Sequence, residues 1–288
     1  MNRPSVGITG ATGFVGASLA HYLADNGFRV VALTRRIAAG FEHRHYDLEQ
    51  PIPNGLLHEI DILIHCAFLK LEQNKNARRL NYEGTKNLLL EANRCGVQKR
   101  IFFSTVSAHE EALSEYGKSK FHTESLFGQS DVILQCSLIM GPGGLFKQLV
   151  HYALSLRIVP LLEAGRQPLQ VIAIQDVQKS VLTIITTSLS GKLVLANNEQ
   201  LTYRQFFNSI SRVYGKRFLF VPLPLVLIKL TTIFAEKINL NLPFNREQVY
   251  GLKALKMFSP SDTLAKLELK PMTLEEVLLK LKSGVEVT

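Results

Sequence analysis

Short apolar runs alternate with amphipathic stretches through the first half of the chain, and this alternation limits the available folds more than any other feature. Ser5–Thr9, Arg29–Thr34, Ile60–His65, Arg100–Ser104 and Val132–Leu138 have the length and content of buried strands. Between them, Phe14–Asn26 carries Val15, Leu19, Tyr22 and Leu23 at helical spacing and stops at Gly27. Asn81–Asn93, closed near Gly96, and Tyr116–Gly128 read as further helices. Strands separated by helices pair in parallel through right-handed crossovers. The prediction is an α/β fold with a doubly wound parallel sheet over residues 1–140.

After Gly141-Pro142-Gly143-Gly144 the pattern loosens. Thr202…Gln205 and Thr273…Glu276 have the spacing of capping boxes. Asp176 is expected to cap a helix over Val177–Ser188. Arg217–Val221 reads as a strand, and Pro222 and Pro224 precede an apolar helix over Leu225–Phe234. Residues 141–288 are therefore expected to form a smaller α+β substrate lobe, with elements of about 165–198 returning to the first core.

No apolar run reaches the length of a bilayer span, and the first residues lack a signal-peptide core, so a cytoplasmic location is expected. Cys66, Cys95 and Cys136 are too few and too scattered for a disulfide framework. His43, His45 and His58 lack metal-ligand spacing, so no metal is expected. The net charge of +9 is uneven: residues 1–138 hold 15 basic and 14 acidic residues, and residues 139–288 hold 18 and 10. No basic run of five appears, which argues against nucleic acid. The surplus in the second half implies an anionic small-molecule substrate instead. Residues 217–237 are apolar with basic flanks. Membrane contact there stays open, but a core helix over the substrate cleft is preferred. Homo-oligomerisation also stays open.

Thr9-Gly10-Ala11-Thr12-Gly13-Phe14-Val15-Gly16 joins the first strand to the first helix. Glycines here permit a sharp turn, close approach of a pyrophosphate and tight helix–strand packing. The helix N-terminus then offers free N–H groups to phosphate. Gly10, Thr12, Gly13, Phe14, Val15 and Gly16 are thus expected to hold a dinucleotide. The second strand ends in Arg35 and Arg36, with no carboxylate until Glu42. A 2′-phosphate needs positive charge where a free ribose needs an acid, so NADP(H) is favoured over NAD(H).

This loop, with Asp47-Leu48, His65-Cys66-Ala67, Asn81, Gly84-Thr85, Ser104-Thr105, Tyr116-Gly117-Lys118-Ser119-Lys120 and Gly141-Pro142, resembles the extended and atypical branches of the short-chain dehydrogenase/reductase superfamily. The resemblance covers roughly residues 5–180 and implies a Rossmann sheet and carbonyl–alcohol hydride transfer. It implies that Asp47 and Leu48 cup the adenine and that Ala67 lies beside the phosphates or nicotinamide ribose. Thr105 would orient the substrate oxygen, with Ser107 as competitor, and Lys120 would anchor the ribose.

Tyr116 and Lys120, four apart on a helix, share one face. A neighbouring ammonium should lower the tyrosine pKa and suit it to acid–base work. Only ten residues separate Thr105 from Tyr116, fewer than in nucleotide-sugar epimerases, and Leu134-Gln135-Cys136-Ser137 replaces their Leu-Arg-Pro. Cys136 reads as a core thiol and His65 as a cofactor neighbour. An NADP(H)-dependent oxidoreductase or epimerase acting on an anionic, nucleotide-sugar-like substrate is the leading reading. A non-catalytic NADP(H)-binding protein is the alternative.

Overall fold

The computed structural model describes residues 3–71, 74–223, 250, 251, 253 and 255–284. Its first elements are β1 (Ser5–Thr9), α1 (Phe14–Asp25), β2 (Arg29–Thr34), β3 (Glu42–His45), β4 (Ile62–His65), α2 (Ala77–Arg94), β5 (Lys99–Thr105), α3 (Glu115–Glu124) and β6 (Val132–Cys136). There follow β7 (Leu138–Met140), α4 (Gly144–Leu156), β8 (Ile158–Leu162), β9 (Pro168–Leu169), β10 (Val171–Ala173), α5 (Ile174–Thr186) and β11 (Gly191–Leu195). The last are β12 (Leu201–Thr202), α6 (Tyr203–Tyr214), β13 (Leu219–Leu223), α7 (Ser261–Lys266) and α8 (Leu274–Lys282).

Seven strands form a parallel sheet in the order β11-β6-β5-β4-β1-β2-β3. Alternation along β2 shows why it is covered on both faces. Val30 and Ala32 pack with Leu19 and Leu23 of α1 and Val177 and Val181 of α5. Val31 and Leu33 point the other way, to Leu88 and Ala92 of α2. This is the doubly wound α/β sheet predicted from the alternation. The strand β3 was not predicted, because Glu-His-Arg-His has no apolar side to signal it. It is an edge strand whose charges suit an unpaired border.

A second apolar core joins α4, α6 and α8 around Phe146, Phe206, Phe207, Ile210 and Leu278. Both predicted capping boxes are formed, at the heads of α6 and α8. Asp176 corrects its expectation. The helix α5 begins at Ile174 behind Ala173, and Asp176 is its buried third residue. It accepts a hydrogen bond from Met272 N at 2.8 Å, tying α5 to the chain ahead of α8. Burial holds its carboxyl above the usual range. The strand expected at Arg217–Val221 begins at Leu219, and it tolerates Pro222 because among the described residues it pairs with β8 alone. The expected helix over Leu225–Phe234 lies outside the described residues. Among the described residues no helix is long and apolar enough to cross a membrane.

Candidate active site

At the end of β1 the chain turns through Gly10, whose φ of +68° favours glycine. A Cβ on Gly10 would lie 3.0 Å from Ala67 N, and one on Gly16 would overlap the Gly10 carbonyl oxygen. The loop and the head of α1 therefore fold onto each other with no room for side chains. Gly13 caps α1 without a side-chain hydrogen bond, and the first turn holds no acid. The N–H groups of Phe14, Val15 and Gly16 stay available to an anion, so the cradle fits a dinucleotide pyrophosphate. Thr12 is exposed at its lip. The Phe14 ring occupies a hollow left by Gly141, Gly143 and Gly144; a Cβ on Gly141 would reach within 2.7 Å of it.

Thr9 ties the loop after β4 to this cradle. Its hydroxyl accepts from Cys66 N at 3.1 Å and Ala67 N at 3.0 Å, so its own proton points to His65 Nδ1 at 2.7 Å. His65 then donates from Nε2 to Thr85 (2.9 Å), which donates to the Asn81 carbonyl (2.6 Å). Burial, aided by Lys120, holds His65 down at about 3. His65 is a neutral link in this chain of hydrogen bonds.

Arg35 and Arg36 are exposed beyond β2, and Thr34 fixes their turn by donating to the Arg36 carbonyl at 2.6 Å. The first carboxylate after them, Glu42, is engaged by Arg29 and Arg44. Asp47 accepts from Glu49 N at 3.1 Å, which shapes its turn. Leu48 is buried against α2, where a Cβ on Gly84 would come within 2.7 Å of it. That close approach explains the glycine.

Thr105 ends β5, and Tyr116 and Lys120 share one face of α3. Ser114 caps this helix by accepting from Gly117 N at 3.1 Å. Thr105 and Tyr116 are brought together, and the Thr105 side chain favours the charged form of the phenol. Tyr116 is 39% exposed. Desolvation by the protein around it, with Cys136 beside it, pushes the phenol up to about 12 despite Thr105. The expected lowering by Lys120 is thus not found. Lys120 is turned away, donating to the Phe103 carbonyl at 2.6 Å between the rings of Phe68 and Phe102. Burial lowers it to about 8, against the opposing pull of Cys66 and Glu124. Phe68 meets Tyr116 edge-on at 5.2 Å. Ser107 donates its N–H to Thr105 Oγ1 at 3.2 Å. Cys136 is buried and its thiol is pushed up, as a core residue.

The family model for the NAD dependent epimerase/dehydratase family matches residues 6–194. The chain belongs to this family. This epimerase/dehydratase-family protein is an NAD(P)-dependent enzyme. It is 27% identical over 243 residues to a ceramide reductase of Caulobacter vibrioides, covering 77% of this chain and 74% of that one. A putative dihydroflavonol 4-reductase of Synechocystis is 27% identical over 168 residues, covering 47% and 49%. In structure, the chain is similar to a UDP-glucose 4-epimerase from Thermotoga maritima solved with UDP-glucose. The TM-score is 0.76 at 18% identity, covering 98% of this chain and 100% of that one.

Beneath the cleft this family member carries a buried network that the linear pattern did not reveal. The Glu124 carboxylate accepts from Ser104, from Gln135 at 2.8 Å and from Lys192 at 2.6 Å. Gln135, in place of the expected arginine, also donates to the Ala108 carbonyl at 2.9 Å. The network joins α3, β5, β6 and β11 directly under Thr105. Its members are too far apart in sequence to be connected by spacing.

Proposed function

We propose that this chain is an NADP(H)-dependent oxidoreductase or epimerase that transfers hydride at a carbonyl or alcohol carbon of an anionic substrate. The observation that carries the reading is the pairing of Thr105 with Tyr116 at the C-terminal end of the sheet that also carries the glycine cradle, with Lys120 buried one helical turn after Tyr116. Ligands of open α/β sheets bind at that end. Gly10, Thr12, Gly13, Phe14, Val15, Gly16, Asp47, Leu48 and Ala67 would hold the dinucleotide, with Arg35 and Arg36 at a 2′-phosphate. The bound nicotinamide supplies or accepts hydride. Thr105 orients the substrate oxygen by hydrogen bonding. Tyr116, held protonated by its raised pKa, gives that oxygen a proton in reduction and takes one back in oxidation. Lys120 would anchor the ribose, giving up its hydrogen bond to the Phe103 carbonyl to do so.

A nucleotide sugar is the first substrate reading, supported by the UDP-glucose complex of the Thermotoga structure and the basic surplus of the second half. An apolar long-chain ketone is the second, supported by the ceramide reductase likeness and by Phe68 beside Tyr116. NADPH oxidation with 4-keto nucleotide sugars and with long-chain ketones separates the two. Tight NADPH binding without turnover of either class would favour a purely cofactor-binding protein.

A further inference from the structure

Five of the eleven large apolar side chains that stand exposed among the described residues gather on one face of the second core. Leu145, Leu149, Tyr152 and Leu156 recur on α4 at i, i+4, i+7 and i+11, beside the buried stripe of Phe146, Val150 and Ala153. Leu156 is 52% exposed. Arg157 ends α4, Ile158 opens β8, and Leu219 is its register partner on β13, 63% exposed. Leu219 N donates to the Arg157 carbonyl at 2.7 Å, which sets Leu219 beside the end of α4. Scattered exposed leucines need no explanation, but a contiguous group marks an interaction site.

The charges around the patch specify its partner. Arg157, Lys216 and Arg217 are exposed at its border and make no ion pair among the described residues. Residues 132–162 and 200–235 contain no Asp or Glu. The nearest flanking acids in sequence stand apart: Glu163 is beyond the far end of β8, and Glu199 is held by Asn197 and Leu274 N. An apolar stripe bordered by cations without acids complements an anionic lipid surface. Phosphates meet the cations there, and aliphatic side chains enter the boundary below.

We propose that Tyr152, Leu156, Ile158 and Leu219, with Arg157, Lys216 and Arg217, dock this protein on an anionic lipid bilayer. The docking does not rest on the reaction proposed above. The test is co-sedimentation of the full chain with vesicles of phosphatidylcholine alone and with about one third phosphatidylglycerol. Binding to the anionic vesicles only is expected, falling at about 1 M salt, where charges are screened beyond about 3 Å. Each of Arg157→Ser, Lys216→Ser and Arg217→Ser should weaken it about fivefold, and Leu156→Glu with Leu219→Glu should weaken it further. All five changes are at exposed positions, so melting temperature and NADPH binding should hold. No binding to anionic vesicles at low salt, or binding unchanged by these substitutions, would overturn the proposal. So would Leu156→Glu converting a dimer to a monomer, or protection of Tyr152 and Leu156 from hydroxyl radicals in lipid-free protein. Those two results would assign the face to a second copy or to another segment of the chain.

Discussion

Replacing Gly16 by alanine tests the cofactor cradle through a defined clash. The added Cβ would overlap the Gly10 carbonyl oxygen and sit 2.8 Å from the Gly10 carbonyl carbon and 3.0 Å from Ala11 Cα. Comfortable carbon contacts begin at about 3.5 Å. The head of α1 must therefore withdraw from the loop by about 0.7 Å or more. All the opposing atoms are backbone, so no side chain can swing aside to absorb the movement. Overpacking of this kind costs about 1–3 kcal/mol, against which the better helix propensity of alanine returns up to about 1 kcal/mol. Cofactor binding suffers more, because the N–H groups of Phe14, Val15 and Gly16 move together away from the phosphates. Loss of one such hydrogen bond to a charged group is worth about 10- to 100-fold in affinity. Fluorescence titration with NADPH, alongside a thermal melt, reads both effects. Gly13→Ala is the control, since its Cβ would stand 3.3 Å from the Gly10 oxygen and ask for a much smaller shift. Wild-type NADPH affinity in Gly16→Ala, or a greater loss in Gly13→Ala, would refute the reasoning.

Other expectations follow from the same geometry. Arg35→Ala with Arg36→Ala should weaken NADPH binding by about 10- to 100-fold and leave NADH binding nearly unchanged; equal losses for both cofactors would remove these residues from the 2′-phosphate. Lys120, lowered to about 8 by burial, should lose its proton as pH rises through about 8, giving an alkaline limb in kcat/KM near that value. Its effect on stability has the opposite sign. The unfolded lysine keeps its proton to about 10.4, so this residue favours the native state increasingly between about 8 and 10.4. A limb that stays in place in Lys120→Met would assign it elsewhere. Glu124→Ala strands Ser104 and Gln135 without their acceptor and should cost about 3 kcal/mol in denaturant unfolding, whereas Glu124→Gln should cost less; equal, negligible losses would show that the network bears little on stability.

Much of the sheet was readable because local and global signals agree. The run from Thr9 to Gly16 joins a buried strand to an amphipathic helix, and both capping boxes sit where their spacing put them. The i, i+4 pairing of Tyr116 and Lys120 likewise put both on one face of α3. What spacing does not carry is direction. Lys120 turns toward the Phe103 carbonyl and two phenyl rings, 17 or more residues distant, so the expected effect on Tyr116 gives way to burial. Asp176 was misread because an acid near a helix start serves equally as a cap or as a first-turn residue, and only the tertiary contact with Met272 decides between them. The Glu124 network draws on four separate elements, and β3 has no apolar face, so neither leaves a local trace.

The most direct test of hydride transfer assisted by Tyr116 is NADPH oxidation by Tyr116→Phe, using whichever of the 4-keto nucleotide sugars or long-chain ketones the wild type reduces. Loss of the phenolic proton donor should lower kcat about 10²- to 10⁴-fold, with NADPH affinity unchanged because the cradle is untouched. Full turnover in Tyr116→Phe would contradict the assignment.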